Sequence, residues 1–286
     1  MDRNFYGTIK ISRYTDSLGS PYYLLLNGRI THGYQYEEIE LCDRITTYYT
    51  EGSGAGLAIA FTPELNKRVG VVGMGVGTMA GYAMEGDVYR LYDINPLVKK
   101  MSSDEEKQFT FRMNAVDRGA TVDVELGDAR LTMEQELNQG EAQNYDVLIL
   151  DAFSSDSIPV HLLTKESMEL YEKHMNPRGV IAIHISNRYL DLEPVVRRLA
   201  KETHYPMVVT ECYSGEDYGE DWIYACTWIL LTRNEGIIKK LEEHGHNRSD
   251  LSQQEDLPLW TDDYASIFRI MDKPAWWPSW LGGDSP

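Results

Sequence analysis

The chain has 286 residues, 42% of them hydrophobic and 25% charged, enough to bury a large core in one main domain with a small appendage. Its 45 acidic residues outnumber 27 basic ones for a formal net charge of −18. That balance argues against a nucleic-acid partner and fits a small cationic substrate held in a negative field. Three scattered cysteines (Cys42, Cys212, Cys226) form no CxxC pair, so neither a disulfide framework nor a metal site is expected. No apolar run reaches the roughly 18 residues of a membrane helix, and the first twelve residues lack a signal-peptide pattern. The expectation is a soluble, cytoplasmic protein. A homo-oligomer, or a membrane segment in a longer parent protein, is compatible with the same sequence.

In chain order, residues 5–14 and 21–31 read as strands, with Asn27-Gly28 as a hairpin signal between Leu26 and the return strand. A small β domain over residues 1–55 is expected, ending in the glycines of Gly52-Ser53-Gly54-Ala55-Gly56, a linker or a tight turn into a helix. From residue 56 to 286 strands alternate with helices. Strands are expected at 68–72, 88–92, 121–126, 146–150, 179–185, 207–211 and 228–232. Helices are expected at 78–84, 96–101, 103–111, 131–137, 165–174 and 192–202. This alternation predicts an α/β, Rossmann-like, mostly parallel sheet. The polar stretch around His244 and His246 reads as a solvated turn.

In such sheets ligands bind beyond the carboxyl ends of the strands. The first of these strands is followed by Gly73-Met74-Gly75-Val76-Gly77, where Gly73, Gly75 and Gly77 let the backbone approach a ligand closely. Asp93 ends the second strand, where a carboxylate accepts hydrogen bonds from ribose hydroxyls; a helix cap before Asn95-Pro96 is the plainer role. The third strand runs into Gly127-Asp128-Ala129 and the fourth into Asp151. Four neighbouring strands that each end in a glycine loop or a carboxylate define a nucleoside pocket. A nicotinamide dinucleotide enzyme would share the first two features but gives no reason for the others. Tyr49, beside Tyr48, together with Asp156, Ser186 and Asn187, are the candidate substrate contacts. His161 and His184 stand near strand ends, where a histidine more often satisfies a backbone group than touches a ligand.

These residues carry a resemblance to the spermidine synthase (polyamine aminopropyltransferase) family. It is closest to bacterial spermidine synthase-like domains often fused to membrane transporter-like segments. It runs through Leu26-Asn27-Gly28, VVGMGVGT, YDINPLV, GDARL, LDAFSSDSIPVHLLT and HISNRYLDL. Thr261-Asp262-Asp263-Tyr264 is similar to a C-terminal element of the same group, and Trp276, Trp277 and Trp280 form an aromatic tail. The resemblance implies that Asp93 holds the ribose, that Asp128 and Ala129 contact adenine, and that Asp151 is the catalytic carboxylate. It also implies S-adenosylmethionine or its decarboxylated form as co-substrate, an amine such as putrescine as acceptor, and methylthioadenosine as product. Two positions depart from the pattern. Val76 stands where the family has an aspartate that grips the donor's amino group, and Asp156 comes five residues after Asp151 rather than three. The alternatives are a lyase that converts S-adenosylmethionine to methylthioadenosine and homoserine lactone, a methyltransferase, and a ligand-sensing domain.

Overall fold

The computed structural model describes residues 2–28, 30–101, 108–152, 159–187, 189–216, 219–252 and 257–271. Strands β1 (Asp2–Asn4), β2 (Gly7–Thr15), β3 (Pro21–Asn27) and β4 (Ile30–Tyr36) form an antiparallel sheet in that order. Asn27 pairs with both Ile9 and Ile30, so the turn begins one residue later than the Asn27-Gly28 pattern suggests. The ladder to β2 holds Asn27 in the strand. Between the pairs Leu24–Tyr34 and Leu26–Thr31 the register shifts, which leaves His32 and Gly33 together opposite Leu25. This is a β-bulge, and bulges re-aim side chains.

The second sheet contains β5 (Arg68–Val72), β6 (Val88–Asp93), β7 (Thr121–Leu126), β8 (Tyr145–Leu150), β9 (Met175–His184), β10 (Met207–Cys212) and β11 (Cys226–Thr232). Their order is β10-β11-β9-β8-β5-β6-β7, with β5 to β9 parallel and β11 reversed against both neighbours. The expectation of a mostly parallel, Rossmann-like sheet holds. Long crossovers, all but the first carrying an α-helix, keep β5 to β9 parallel. No helix is expected between β10 and β11, and that pair closes antiparallel.

The helices are α1 (Gly54–Phe61), α2 (Pro96–Met101), α3 (Phe111–Asp117), α4 (Ala129–Asn138), α5 (Lys165–His174), α6 (Glu193–Glu202) and α7 (Glu235–Glu243). Ser53 caps α1 by accepting from the Gly56 N–H, so the glycine stretch is a turn into a helix. Only a short 3-10 turn, Thr78–Tyr82, forms where a helix was expected over 78–84. Gly81 sits inside it, a poor helix former pressed so close to Ile45 that a Cβ would stand 2.4 Å from Cδ1. β8 is buried along its whole length, as a strand covered on both faces must be. Its side chains alternate between two cores. Val147 and Ile149 join the α1, α3 and α7 side with Ile9 and Leu25 of the first sheet, and Leu148 and Leu150 join the α4, α5 and α6 side with Trp260. Among the described residues no helix is long and apolar enough to cross a membrane. Asp156 and Trp276, Trp277 and Trp280 lie outside the described residues.

The strand order reverses between β5 and β8, which opens a crevice at their carboxyl ends. Gly73 lies there at φ 92, and a Cβ on it would stand 2.0 Å from the Asp151 carbonyl oxygen. Gly28 also has positive φ, but nothing lies within 4 Å of its missing Cβ. Gly73→Ala is therefore expected to cost at least about 3 kcal/mol of stability and Gly28→Ala about 1–2 kcal/mol, as read from urea unfolding midpoints. Equal losses for the two variants would mean that the Gly73 contact is not rigid.

Candidate active site

Backbone hydrogen bonds bring the ends of four strands side by side. The Gly73 N–H donates to Tyr92, the Gly127 N–H to Asp93 and the Asp151 N–H to Val72, at 2.9, 3.0 and 2.8 Å. A cavity of about 410 Å³ opens above them. Gly73, Gly75, Asp93, Asp128, Ala129, Asp151 and Tyr49 line it, so one site gathers most of the residues singled out in the sequence.

Asp93 accepts from the Met74 N–H at 3.1 Å through Oδ2 and from the Asn95 N–H at 2.8 Å through Oδ1. It thus ties the glycine loop to the turn after β6. Burial raises its carboxyl to about 6 against the lowering effect of those two N–H groups. Asp128 caps α4 by accepting from the Leu131 N–H at 3.1 Å, and its other oxygen lies 2.8 Å from His161 Nε2.

Asp151 is buried, with a side chain 4% exposed, and each carboxylate oxygen is engaged. His184 Nδ1 lies 2.7 Å from Oδ1, and the Tyr49 hydroxyl donates to Oδ2. Burial, reinforced by the Asp151 charge, pushes the Tyr49 phenol well above its usual range, so it stays protonated as a donor. The His184 ring is stacked between Tyr48 and Trp228, with centroids 4.5 and 4.7 Å away. The Tyr48–Tyr49 backbone is held in turn, because Trp228 Nε1 donates to the Tyr48 carbonyl and the Tyr82 hydroxyl to the Tyr49 carbonyl, at 3.2 and 2.6 Å. His161 and His184 thus each meet a carboxylate.

Gly77 and Val76 do not line the cavity. Val76 is buried against β4, and a Cβ on Gly33 would stand 2.6 Å from its Cγ2. Ser186 and Asn187 also lie outside the lining. Ser186 Oγ accepts from the Thr227 N–H at 2.8 Å, and Asn187 Oδ1 accepts from the Tyr189 and Leu190 N–H groups at 2.9 and 3.0 Å. The sequence reading did not select His32, Phe5, Tyr6 or Asn95, which do line the cavity. Asn95 accepts from the Asn4 side chain at 2.7 Å, which fastens the β1–β2 turn to the rim. Only the turn signature Asp93-Ile94-Asn95-Pro96 hinted at this in the sequence. Among the described residues no three His, Cys, Asp or Glu side chains gather as a metal-binding group.

No protein-family model matches the chain. Over 155 residues it is 28% identical to a polyamine aminopropyltransferase of Vibrio vulnificus (strain CMCP6). That match covers 51% of this chain and 48% of the relative, so the chain spans about half the relative's length. A probable spermidine synthase from Corynebacterium glutamicum ATCC 13032 superposes with a TM-score of 0.55 at 16% identity, over 86% of this chain and 91% of that one. The spermidine synthase from Thermotoga maritima gives 0.50 at 12% identity, over 89% and 78%. The fold is the Rossmann-like fold of the spermidine synthases. In fold, and in sequence over that segment, the chain is spermidine synthase-like, as its motifs indicate.

The Asp151 arrangement has a measurable cost when broken. Tyr49→Phe keeps the ring but leaves one oxygen of a buried carboxylate without its donor. A loss of about 1.5–3 kcal/mol in urea unfolding is expected, against less than about 0.5 kcal/mol for the exposed control Tyr213→Phe.

Proposed function

We propose that this chain transfers an aminopropyl group from decarboxylated S-adenosylmethionine to an amine such as putrescine and releases methylthioadenosine. The observation that carries this reading is the single cavity in which the glycine loop, Asp93 and Asp128 meet the buried, doubly held Asp151. In it the ribose hydroxyls donate to Asp93, and adenine lies beside Asp128 and Ala129. Asp151 presents negative charge to the amine and the sulfonium. Bond formation between the amine nitrogen and the carbon next to sulfur breaks the C–S bond, and the electron pair neutralises the sulfonium to a thioether. A free amine with a pKa near 10 is protonated at neutral pH, so the site must both attract the cation and accept its proton. The net charge of −18 favours the approach of such substrates.

The decisive measurement is product analysis by mass spectrometry after incubation with each form of the donor, with and without putrescine. Spermidine and methylthioadenosine are expected only from the decarboxylated donor with amine present. Methylthioadenosine formed from ordinary S-adenosylmethionine without amine would replace this reading with the lyase. Asp151→Asn is expected to lower turnover by about a hundredfold or more while leaving methylthioadenosine affinity nearly unchanged.

Nucleoside affinity should depend on pH through Asp93. Its carboxyl titrates near 6, and only the ionised form accepts from both ribose hydroxyls. Methylthioadenosine binding is therefore expected to weaken by about tenfold as pH falls from about 7 to about 5, and to lose this dependence in Asp93→Asn. Ligand-free stability runs the other way. A carboxyl raised above its unfolded value contributes most at low pH, and that contribution is lost as pH rises through about 6. Calorimetric titration at several pH values measures the first effect and urea unfolding the second.

A further inference from the structure

His32 is the first of the two bulged residues of β4, and the bulge turns its side chain into the cavity beside Tyr48, Tyr49 and Asp151. Main-chain packing fixes it there. A Cβ on Gly75 would stand 2.8 Å from the His32 carbonyl oxygen, and Gly33 is pressed onto Val76. The ring is thus built onto the glycine loop rather than carried on a loose segment. Its Nε2 is buried and has no hydrogen-bond partner among the described residues. Buried ring nitrogens in native proteins are normally paired, and one left open at a ligand cavity calls for a functional reason.

The neighbouring carboxylate sharpens this reason. Both Asp151 oxygens already meet a protein donor, His184 on one side and Tyr49 on the other. Each Asp151 oxygen therefore already shares one lone pair with a protein donor. His32 Nε2, on a residue of the same cavity wall, shares none. Burial lowers the His32 pKa and the Asp151 charge offsets part of that lowering, so the ring is neutral at rest. In the Nδ1–H tautomer Nε2 carries an unshared lone pair.

We propose that His32 is the proton acceptor of the reaction, with Asp151 as the counter-charge that stabilises the imidazolium. This rests on the aminopropyl-transfer reading above. As the nitrogen–carbon bond forms and the C–S pair moves to sulfur, the ammonium proton passes to His32 Nε2 and from there to solvent. Atoms and charge balance without any further reactant.

His32→Gln keeps a polar side chain that cannot carry a proton, and His32→Ala leaves room for a small base. Both are compared with the wild type for methylthioadenosine affinity, for kcat and amine KM, and for rescue by added imidazole. His32→Gln should bind methylthioadenosine within about threefold of wild type and lose about a hundredfold in kcat, with little change in amine KM. Imidazole should restore His32→Ala by about tenfold or more, and leave His32→Gln unchanged. Wild-type turnover together with His32→Gln within about threefold of it in kcat would overturn the assignment and leave the transfer reading standing. So would a His32→Ala variant that binds methylthioadenosine normally, is inactive and is not rescued by imidazole. A wild-type protein that makes no spermidine from the decarboxylated donor and putrescine would overturn the transfer reading itself, and His32 as its base with it.

Discussion

The site depends on the contact between two main-chain segments at the β5–β8 crevice, where Gly73 leaves no room for a side chain against the Asp151 carbonyl. That contact sets the glycine loop directly beside the residue that follows β8. A carboxylate held there is removed from water, which is costly unless donors replace the lost hydration. His184 and Tyr49 supply them from opposite sides. Each is held by something else in turn. Tyr48 and Trp228 clamp the His184 ring, and Trp228 packs against α1 so closely that a Cβ on Gly54 would stand 2.3 Å from the Trp228 Cβ. Packing of α1 on β11 is thereby coupled to the orientation of Asp151.

The two central carboxylates are set apart by their partners. Asp93 is held by backbone N–H groups at the start of a turn and lines the cavity with its carboxyl raised to about 6. Asp151 is held by two side chains from distant parts of the chain. Groups arranged in this way suit different tasks, one a positioning contact and the other a charge at the reacting centre. The acidic balance of the whole chain acts at longer range and without geometry, through the field that a cation meets on approach.

The first sheet contributes more than a boundary. Through the β4 bulge it supplies His32, through the turn after β1 it supplies Phe5 and Tyr6, and Asn4 ties that turn to Asn95 on the second sheet. The same docking explains Val76. A valine packs on Gly33 as apolar surface, and a carboxylate in that position would be taken out of water at a tight backbone contact. Replacing Val76 with aspartate alone would therefore strain the junction between the sheets as well as change the loop's charge.

Much of this was legible in the sequence because it is local. Apolar runs bounded by glycines and aspartates mark β5 to β8, and their carboxyl ends carry the residues that line the cavity. Strand type and strand end are set within a few residues by side-chain period and turn chemistry. What the sequence left open depends on partners far away in the chain. Tyr49 meets Asp151 across 102 residues and His184 meets it across 33, and neither pairing has a local signature. Ser186 and Asn187 follow β9 where ligand contacts were expected, yet Ser186 accepts from the Thr227 N–H of β11 and Asn187 from N–H groups of its own turn. The one-residue bulge that aims His32 is a register shift between β3 and β4, a feature of strand pairing that no local pattern in the sequence marks. Local sequence thus determined the sheet and the order of its carboxylates. Tertiary packing alone decided which side chains face each of them, because the energy of a buried charge depends on donors brought together by the whole fold.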